Sequence, residues 1–168
     1  MFDLKNLAPD KVPYLGLLKS VLGYVDTAHY TYGELSNEIN AETGGIACGV
    51  EVFDRADSVD EYRAFFGVKG KVMYPKMDVI FRMIREILNT SDVTDTRRLH
   101  EIISRVKSRA QSSLVSAGHS TAVLRAASYA SPMAAFQDGM AGIAYYQFIE
   151  KLDREFDDRK EEIIENLK

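Results

Sequence analysis

The spacing of hydrophobic residues changes twice in the first third of the chain, and each change predicts a boundary between elements. Between residues 13 and 25 apolar residues recur three and four positions apart, which is typical of a helix with one buried face. Thr31 and Glu34 have the spacing of a capping box, so a second helix is expected to begin there. Gly44 and Gly45 are expected to end that helix in a left-handed turn.

Two segments with alternating apolar and polar residues follow the glycine pair. They predict strands over residues 46–53 and 61–69, joined by a polar connection over residues 54–60. Strands so close in sequence form an antiparallel hairpin. Because a sheet of two strands is marginal, we expect Phe2 to Leu4 to add a third strand, or further strands to lie outside this sequence.

From residue 75 onward the apolar spacing is again helical. Asp95 is the expected cap of a long helix that bends or ends at Gly118 and resumes to residue 130. Ser131 caps a segment over 133–152 in which Gly139 and Gly142 allow tight packing or a break, and residues 153–168 predict an exposed amphipathic helix. The first helix of this region has its predicted buried stripe at Met77, Ile80, Phe81, Ile84, Ile87 and Leu88.

Helices outnumber strands in this pattern, and the strands are neighbours in sequence. The sequence therefore predicts an α+β fold, with a small antiparallel sheet and several helices packed on one of its faces. A length of 168 residues suits one core, so residues 1–168 are expected to form a single domain.

Composition and charge narrow the classes of partner. A net charge of -4 disfavours nucleic acid, since a surface that follows phosphates needs an excess of Lys and Arg. No apolar run approaches the roughly 20 residues that span a bilayer, and the N-terminal residues lack the features of a secretory signal. We therefore expect neither nucleic acid nor a membrane as partner. Cys48 is the only cysteine, which excludes an internal disulfide and fits a reducing compartment.

Four short blocks in a fixed order carry a resemblance to a known family. They are VPYLGLL at 12–18, DT at 26–27, YGEL at 32–35 and TGGI at 43–46. Together they resemble the third-domain signature of the presequence protease branch of the insulinase-like (pitrilysin) zinc metallopeptidases. Later blocks at 66–71, 94–99 and 116–119 resemble the same region, so the likeness covers nearly the whole chain.

The resemblance implies a non-catalytic, peptidase-associated domain excised from a longer polypeptide. In this family two halves enclose a chamber, and an inverted H-x-x-E-H helix in the first domain holds zinc. The third domain is a degenerate copy, so Leu17, Ser20 and Val21 would stand where the first histidine, the glutamate and the second histidine belong. Zinc needs three protein ligands and a water that a carboxylate can activate. We therefore expect no catalytic residue, metal ligand or cofactor in this chain, and zinc only in the parent's first domain.

The resemblance also implies partners. They are the zinc-bearing catalytic half of the same polypeptide and the short, unfolded peptides that the parent, a zinc-dependent metalloendopeptidase, degrades in its chamber. We favour the bacterial cytoplasm over an organelle matrix. The alternative function is a free-standing helical protein-interaction module without enzymatic activity, because the helices are amphipathic and no group of reactive residues stands out.

The three histidines and the cysteine are residue types that often act in catalysis, but the sequence does not support a catalytic role for any of them. An enzyme built on His119 ranks last, because no nucleophile or carboxylate is paired with it in the sequence. We expect His119 to hydrogen-bond a carbonyl at a helix bend, His100 and Glu101 to be a surface or boundary pair, and His29 to be solvated. Cys48 is expected to be a buried small hydrophobe.

Three further groups also have structural explanations. The glycine pair at 44–45 lacks the Lys and the following helix of a phosphate-binding loop. The basic residues between Arg97 and Arg109 are expected to form a solvated helix face balanced by nearby acids. Tyr145, Tyr146 and Phe148 are expected to pack rather than to stack on bases.

Overall fold

The computed structural model describes residues 1–55 and 58–168, without the side chains of residues 59 and 60. Three strands form an antiparallel sheet in the order β1-β3-β2. They are β1 (Phe2–Asp3), β2 (Ile46–Arg55) and β3 (Ser58–Gly70). The helices are α1 (Val12–Val21), α2 (Tyr32–Glu42), α3 (Met77–Thr90), α4 (Thr96–Ser116), α5 (Gly118–Ala127), α6 (Pro132–Ala141), α7 (Ile143–Arg154) and α8 (Phe156–Leu167), with short 3-10 turns at Pro9–Lys11 and Tyr74–Lys76. This arrangement confirms the predicted α+β class.

The sheet confirms the predicted hairpin and its third strand. Val50 lies opposite Phe66 in the β2–β3 pair, and Phe2 lies opposite Phe66 on the other edge. The strands are longer than predicted, since residues 54–55 and 58–60 of the expected connection belong to them. A bulge at Asp54 and Arg55 lets these polar residues stay paired at the end of the hairpin. Residues 56 and 57, the middle of that connection, lie outside the described residues.

Side-chain caps begin three helices where the sequence predicts them. The Glu34 N–H donates to Thr31 Oγ1 at 3.3 Å, and the Thr31 N–H donates to Glu34 Oε2 at 2.9 Å, which completes the capping box of α2. Asp95 caps α4 by accepting from the Arg98 N–H, and Ser131 caps α6 by accepting from the Ala134 N–H. These bonds satisfy N–H groups that have no partner within a helix.

The end of α2 differs in detail from the prediction. Thr43 is extended, and its hydroxyl donates to the Ile39 carbonyl at 2.7 Å and accepts from the Gly45 N–H at 3.0 Å. The left-handed residue is Gly45, with φ +105°, and not Gly44. The Gly44 N–H instead donates to the Lys71 carbonyl at 2.7 Å, which ties the turn to the end of β3.

Helix α1 lies between the sheet and the other helices. Leu15 of α1 and Phe136 of α6 pack on Ala64 and Phe66 of β3, so the helices cover one face of the sheet as predicted. On its other side α1 contributes to the main helical core, in which Leu17, Val21, Leu99, Ile103, Ile149, Leu152 and Ile163 are fully buried.

The predicted burial of two helices, α3 and α8, is partly wrong. Ile80 and Ile87 of α3 are buried as predicted, but Phe81 is 60% exposed and Met77 is 40% exposed, and Met83 is buried although it was not in the predicted stripe. Helix α3 has apolar residues on two sides, and packing beside Leu35 of α2 selects one of them.

Helix α8 was expected to be exposed, but Phe156, Ile163 and Leu167 are buried in the main core against α1. These apolar residues are separated by many charged residues in the sequence, so the apolar face of α8 is difficult to recognise there. Of the helices that the structure describes, none combines the length and apolar character that a membrane span requires.

Candidate functional site

The α1 positions that would correspond to a zinc site belong to the protein core. Leu17 and Val21 have no exposed surface, and Ser20 Oγ donates to the Gly16 carbonyl at 3.4 Å. Apolar side chains at two of three positions cannot hold zinc. Within the described residues, no three His, Cys, Asp or Glu side chains come together as a metal site would require. The residues of α1 therefore do not fit the metal of the family's catalytic domain.

His29 is exposed, as predicted, and is also bound to Glu86 of α3. Its backbone N–H and its Nδ1 both lie 3.1 Å from Glu86 Oε1. Burial opposes ionisation of Glu86, but hydrogen bonds with Thr27, Thr90 and His29 outweigh it and lower the pKa of Glu86 to about 2. The pair fastens the α1–α2 loop to α3, and it offers no general base.

His100 joins a cluster that the sequence did not indicate. Its ring stacks on Phe156 with centroids 4.3 Å apart, and its Nε2 lies 3.4 Å from Asp153 Oδ1. Ser104 Oγ donates to the same carboxylate oxygen at 2.5 Å, and Lys107 Nζ to the other at 2.5 Å.

Ser104, His100 and Asp153 are therefore close together, but their hydrogen bonds do not connect them as a catalytic triad requires. In a nucleophilic triad the serine hydroxyl donates to the histidine, whereas here it donates to the carboxylate. The cluster joins α4 to α7. Asp153 lies 49 positions from Ser104, so no local motif could have revealed it.

His119 is exposed near the start of α5, and the described residues offer its ring no hydrogen-bond partner. The expected bond to a carbonyl is therefore wrong, because the ring projects outward from a helix that itself buries no residue.

Cys48 lies on the helix-covered face of the sheet, as expected, but its side chain is half-buried rather than buried. Burial raises the pKa of its thiol, so the protonated form prevails at neutral pH. This is the opposite of what a nucleophilic cysteine needs.

The first arginines of α4 are balanced by a nearby acid, as predicted, but Arg98 is not solvated, since its side chain is only 13% exposed. Arg97 and Arg98 lie 3.5 and 3.3 Å from the carboxylate of Glu101. Arg98 also donates to the Tyr24 carbonyl at 2.9 Å and covers the Tyr32 ring at 3.8 Å. This arginine holds the α1–α2 loop against α4.

The aromatic residues of α7 pack within the molecule, as predicted. The Phe148 ring meets the Tyr14 ring edge-on with centroids 4.9 Å apart. Tyr145 is buried where α1 and α7 approach closely, and a Cβ added to Gly16 would lie 2.7 Å from its ring. Gly16 is therefore required by this close contact.

A buried ion pair that sequence reasoning missed connects α5 to α6. Asp138 is only 2% exposed, and its Oδ2 accepts from Arg125 Nη1 at 2.8 Å. Its Oδ1 accepts from the Ile143 N–H at 2.9 Å, which caps α7. A Cβ on Gly142 would collide with this carboxylate. Of the two glycines that could allow tight packing or a break, Gly142 separates α6 from α7 and makes room for this cap.

The larger of the two described cavities is an open groove of about 1200 Å³ at the edge of the sheet. It lies between the end of β1, the start of α1 and the start of α6, and we call it the edge groove. Its apolar lining includes Leu4, Leu7, Val12, Tyr62, Ala64 and Phe136. Three of the four prolines of the chain, Pro9, Pro13 and Pro132, stand around it.

Comparison with known proteins places the chain beside parts of much longer proteins. A family model for the domain associated with the M16 peptidases, subfamily C, matches residues 1–152. The chain is 31% identical to Protein HypA of Clostridium perfringens over 99% of its length. It is 29% identical to the mitochondrial presequence protease of Yarrowia lipolytica over 89% of its length, and 30% identical to that of Saccharomyces cerevisiae over 98%. It spans only 15 to 17% of the length of these relatives.

Proposed function

Because the chain belongs to the family of domains associated with subfamily C of the M16 peptidases, we propose that it is a non-catalytic domain of a larger zinc metallopeptidase. Its role is to form part of the chamber in which short, unfolded peptides are degraded. The likeness to mitochondrial presequence proteases of two yeasts supports a peptide-degrading parent. The zinc and the catalytic groups belong to another part of that parent.

One observation carries the non-catalytic assignment. The α1 positions where a zinc helix would present its ligands hold Leu17 and Val21, both fully buried in the core. The helix therefore contributes packing energy, roughly 1.5–3 kcal/mol for each such side chain. A side chain that is fully buried in the core cannot contact a substrate or a metal.

The uncovered face of the sheet is the surface that we assign to the chamber. The helices occupy the face with Val50 and Phe66, so the alternate residues of the same strands face outward. Phe53 and Phe65 form an edge-on aromatic pair there, with centroids 6.2 Å apart. A salt bridge between Glu51 and Lys69 lies farther along the same two strands. Mixed apolar and charged contacts suit a wall that meets peptides of varied sequence.

The partners of the domain are the zinc-bearing half of the parent and its peptide substrates. We assign the parent to the bacterial cytoplasm, supported by the likeness to a Clostridium perfringens protein.

A second candidate function is a free-standing interaction module, and one feature of α3 favours it. Met77 and Phe81, four positions apart on α3, are 40% and 60% exposed, and Met73 and Tyr74 just before the helix are 70% and 89% exposed. Exposed apolar stripes of this kind mark surfaces that bind another protein. In the first proposal the same stripe packs against the rest of the parent.

A chimeric enzyme separates the two functions. We replace the matched segment of the Saccharomyces cerevisiae presequence protease with residues 1–168 and measure cleavage of an unstructured peptide. We expect chelator-sensitive cleavage by the chimera and none after deletion of the segment. An interaction module unrelated to the protease would leave the chimera as inactive as the deletion.

A second measurement on the 168-residue chain alone keeps the proposal open to disproof if the chimera misfolds. We expect neither stoichiometric zinc in equilibrium dialysis nor peptide cleavage. One bound zinc per chain, or cleavage abolished by a chelator, would contradict the non-catalytic assignment.

A further inference from the structure

The edge groove lies where the sheet changes from three strands to two. Strand β1 pairs with β3 only at Phe2 and Asp3, and the last bond between them runs from the Leu4 N–H to the Ala64 carbonyl at 3.0 Å. The Leu4 carbonyl then turns away and accepts from the Leu7 N–H at 2.9 Å. Strand β3 begins at Ser58, so its first half extends past β1 along the groove.

The backbone of β3 presents hydrogen-bonding groups to the groove. In an antiparallel ladder the N–H and C=O of every second residue point to the same edge. Since the Ala64 carbonyl points to β1, the N–H and C=O of Tyr62 point to that edge as well. Among the described backbone hydrogen bonds, those two groups and the Ala64 N–H have no partner on this side.

The walls of the groove are apolar and stiff. Val12 and Phe136 are buried with Ala64 in one cluster, and the Phe136 ring lies 5.4 Å from that of Tyr62. Pro9, Pro13 and Pro132 stand in the first turns of three helices around it, where the ring fixes φ. A groove of this construction is formed before anything binds, which reduces the entropic cost of binding.

The charges of the groove leave one cation without a described partner. Asp3 and Arg63 are 4.0 Å apart, and Arg55 and Glu61 are 2.6 Å apart. Lys5 lines the same groove, and within the described part of the chain its ammonium group makes no ion pair. The edge groove is therefore suited to an anionic group beside an apolar chain.

From these features we propose that the edge groove binds an extended peptide segment, which adds a short strand to β3 beside Tyr62. The segment pairs with the N–H and C=O of Tyr62 and with the N–H of Ala64. It places an apolar side chain against Phe136 and Val12, and it brings an acidic group to Lys5. Backbone pairing gives affinity with little dependence on sequence, while the pocket and the cation select the peptide. This inference rests on the proposed function, because it makes the domain a holding site for the parent's peptides.

The test uses a fluorescein-labelled, blocked peptide of alternating valine and threonine with one central glutamate. We measure its binding to the 168-residue chain by fluorescence anisotropy. Two versions carry N-methyl groups on alternate residues, either the odd or the even ones, so that each loses the donors of one edge. We expect one version to bind at least about tenfold more weakly and the other to match the parent peptide. Equal binding of both versions, or no saturable binding, would overturn strand addition.

A charge reversal tests the role of the cation. Lys5→Glu is expected to weaken binding of the glutamate peptide by about tenfold and to favour the same peptide with lysine at its centre. Lys160→Glu, an exposed change on α8, is the matched control and should bind as the original chain does. Indifference to Lys5→Glu would overturn the acidic preference.

The same experiment also shows whether something other than a peptide occupies the edge groove. If sedimentation shows a dimer that excludes the peptide, a second copy covers the edge and the peptide proposal is wrong. The binding assay contains no protease, so its result is independent of the chimera. Absent binding with an active chimera overturns only the groove, whereas binding with an inactive chimera overturns only the proposed function.

Discussion

Residues far apart in sequence share the charged contacts that fasten the last helix to the first. Glu162 of α8 accepts from Tyr14 of α1 at 2.7 Å and from two nitrogens of Arg159 at 2.8 and 2.9 Å. Hydrogen bonds from Arg159 and then from Tyr14 lower the pKa of Glu162 to about 2. Burial and the same contact raise the pKa of Tyr14 to about 12. The carboxylate therefore stays ionised well into acid.

We predict that Glu162→Gln lowers the free energy of unfolding only at pH values at which the Glu162 carboxylate of the original chain is ionised. A pKa depressed from 4.5 to about 2 in the folded state gives stability that is present above about pH 4.5 and is lost as the pH falls to 2. Because the carboxylate is 48% exposed, the loss at pH 7 should be at most about 1 kcal/mol. Urea unfolding at several pH values gives the difference between the two chains, which should shrink toward pH 2. Glu161→Gln is the control, and a pH-independent difference for Glu162→Gln would contradict the prediction.

Among the elements, α5 is held differently from its neighbours. It has no buried residue, so it lacks the apolar face that fastens the other helices. Its anchor is Arg125, which reaches the buried carboxylate of Asp138 on α6. Asp138 also caps α7, so three consecutive helices depend on one carboxylate.

We predict that Asp138→Asn costs about 2 kcal/mol or more, because it leaves Arg125 facing a buried neutral group. The amide oxygen can still accept from the Ile143 N–H, so Asp138→Ala should cost roughly 1 kcal/mol beyond that. Chemical denaturation measures both. Asp158→Asn on the exposed side of α8 changes the same group and should stay within about 0.5 kcal/mol of the original chain. Equal effects at 138 and 158 would show that the pair contributes nothing.

For the molecule as a whole, α1 is the central element and α8 completes the core around it. Leu17 and Val21 of α1 share one cluster with Ile163 and Leu167 of α8. The opposite side of α1 packs on the sheet through Val12 and Leu15. Helix α1 therefore contributes to both the helical core and the cluster on the sheet, and α6 also packs on the sheet through Phe136.

We predict that Ile163→Ala destabilises the protein by about 2–5 kcal/mol, since it leaves a cavity in a fully buried site. Ile164→Ala removes the same atoms from a partly buried neighbour and should cost clearly less. Thermal and urea unfolding of both variants test this. Small and equal losses would mean that α8 does not belong to the core.

Local signals in the sequence predicted most of the elements. The capping residues Thr31, Asp95 and Ser131 act within three residues, so their bonds are readable from spacing alone. The alternation in β2 and β3 fixed both the hairpin and its covered face. Where a helix has two apolar sides, as α3 does, spacing could not decide which one is buried.

The chain's own residues determined its helices, its hairpin, its family likeness and the lack of zinc ligands in α1, because these depend on neighbours a few positions apart. Only the tertiary structure decided that α8 is part of the core, that Asp138 pairs with Arg125, and that a groove opens beside Tyr62. Each of these depends on contacts between distant segments, and the free energy of such contacts arises only when the folded chain brings both partners together.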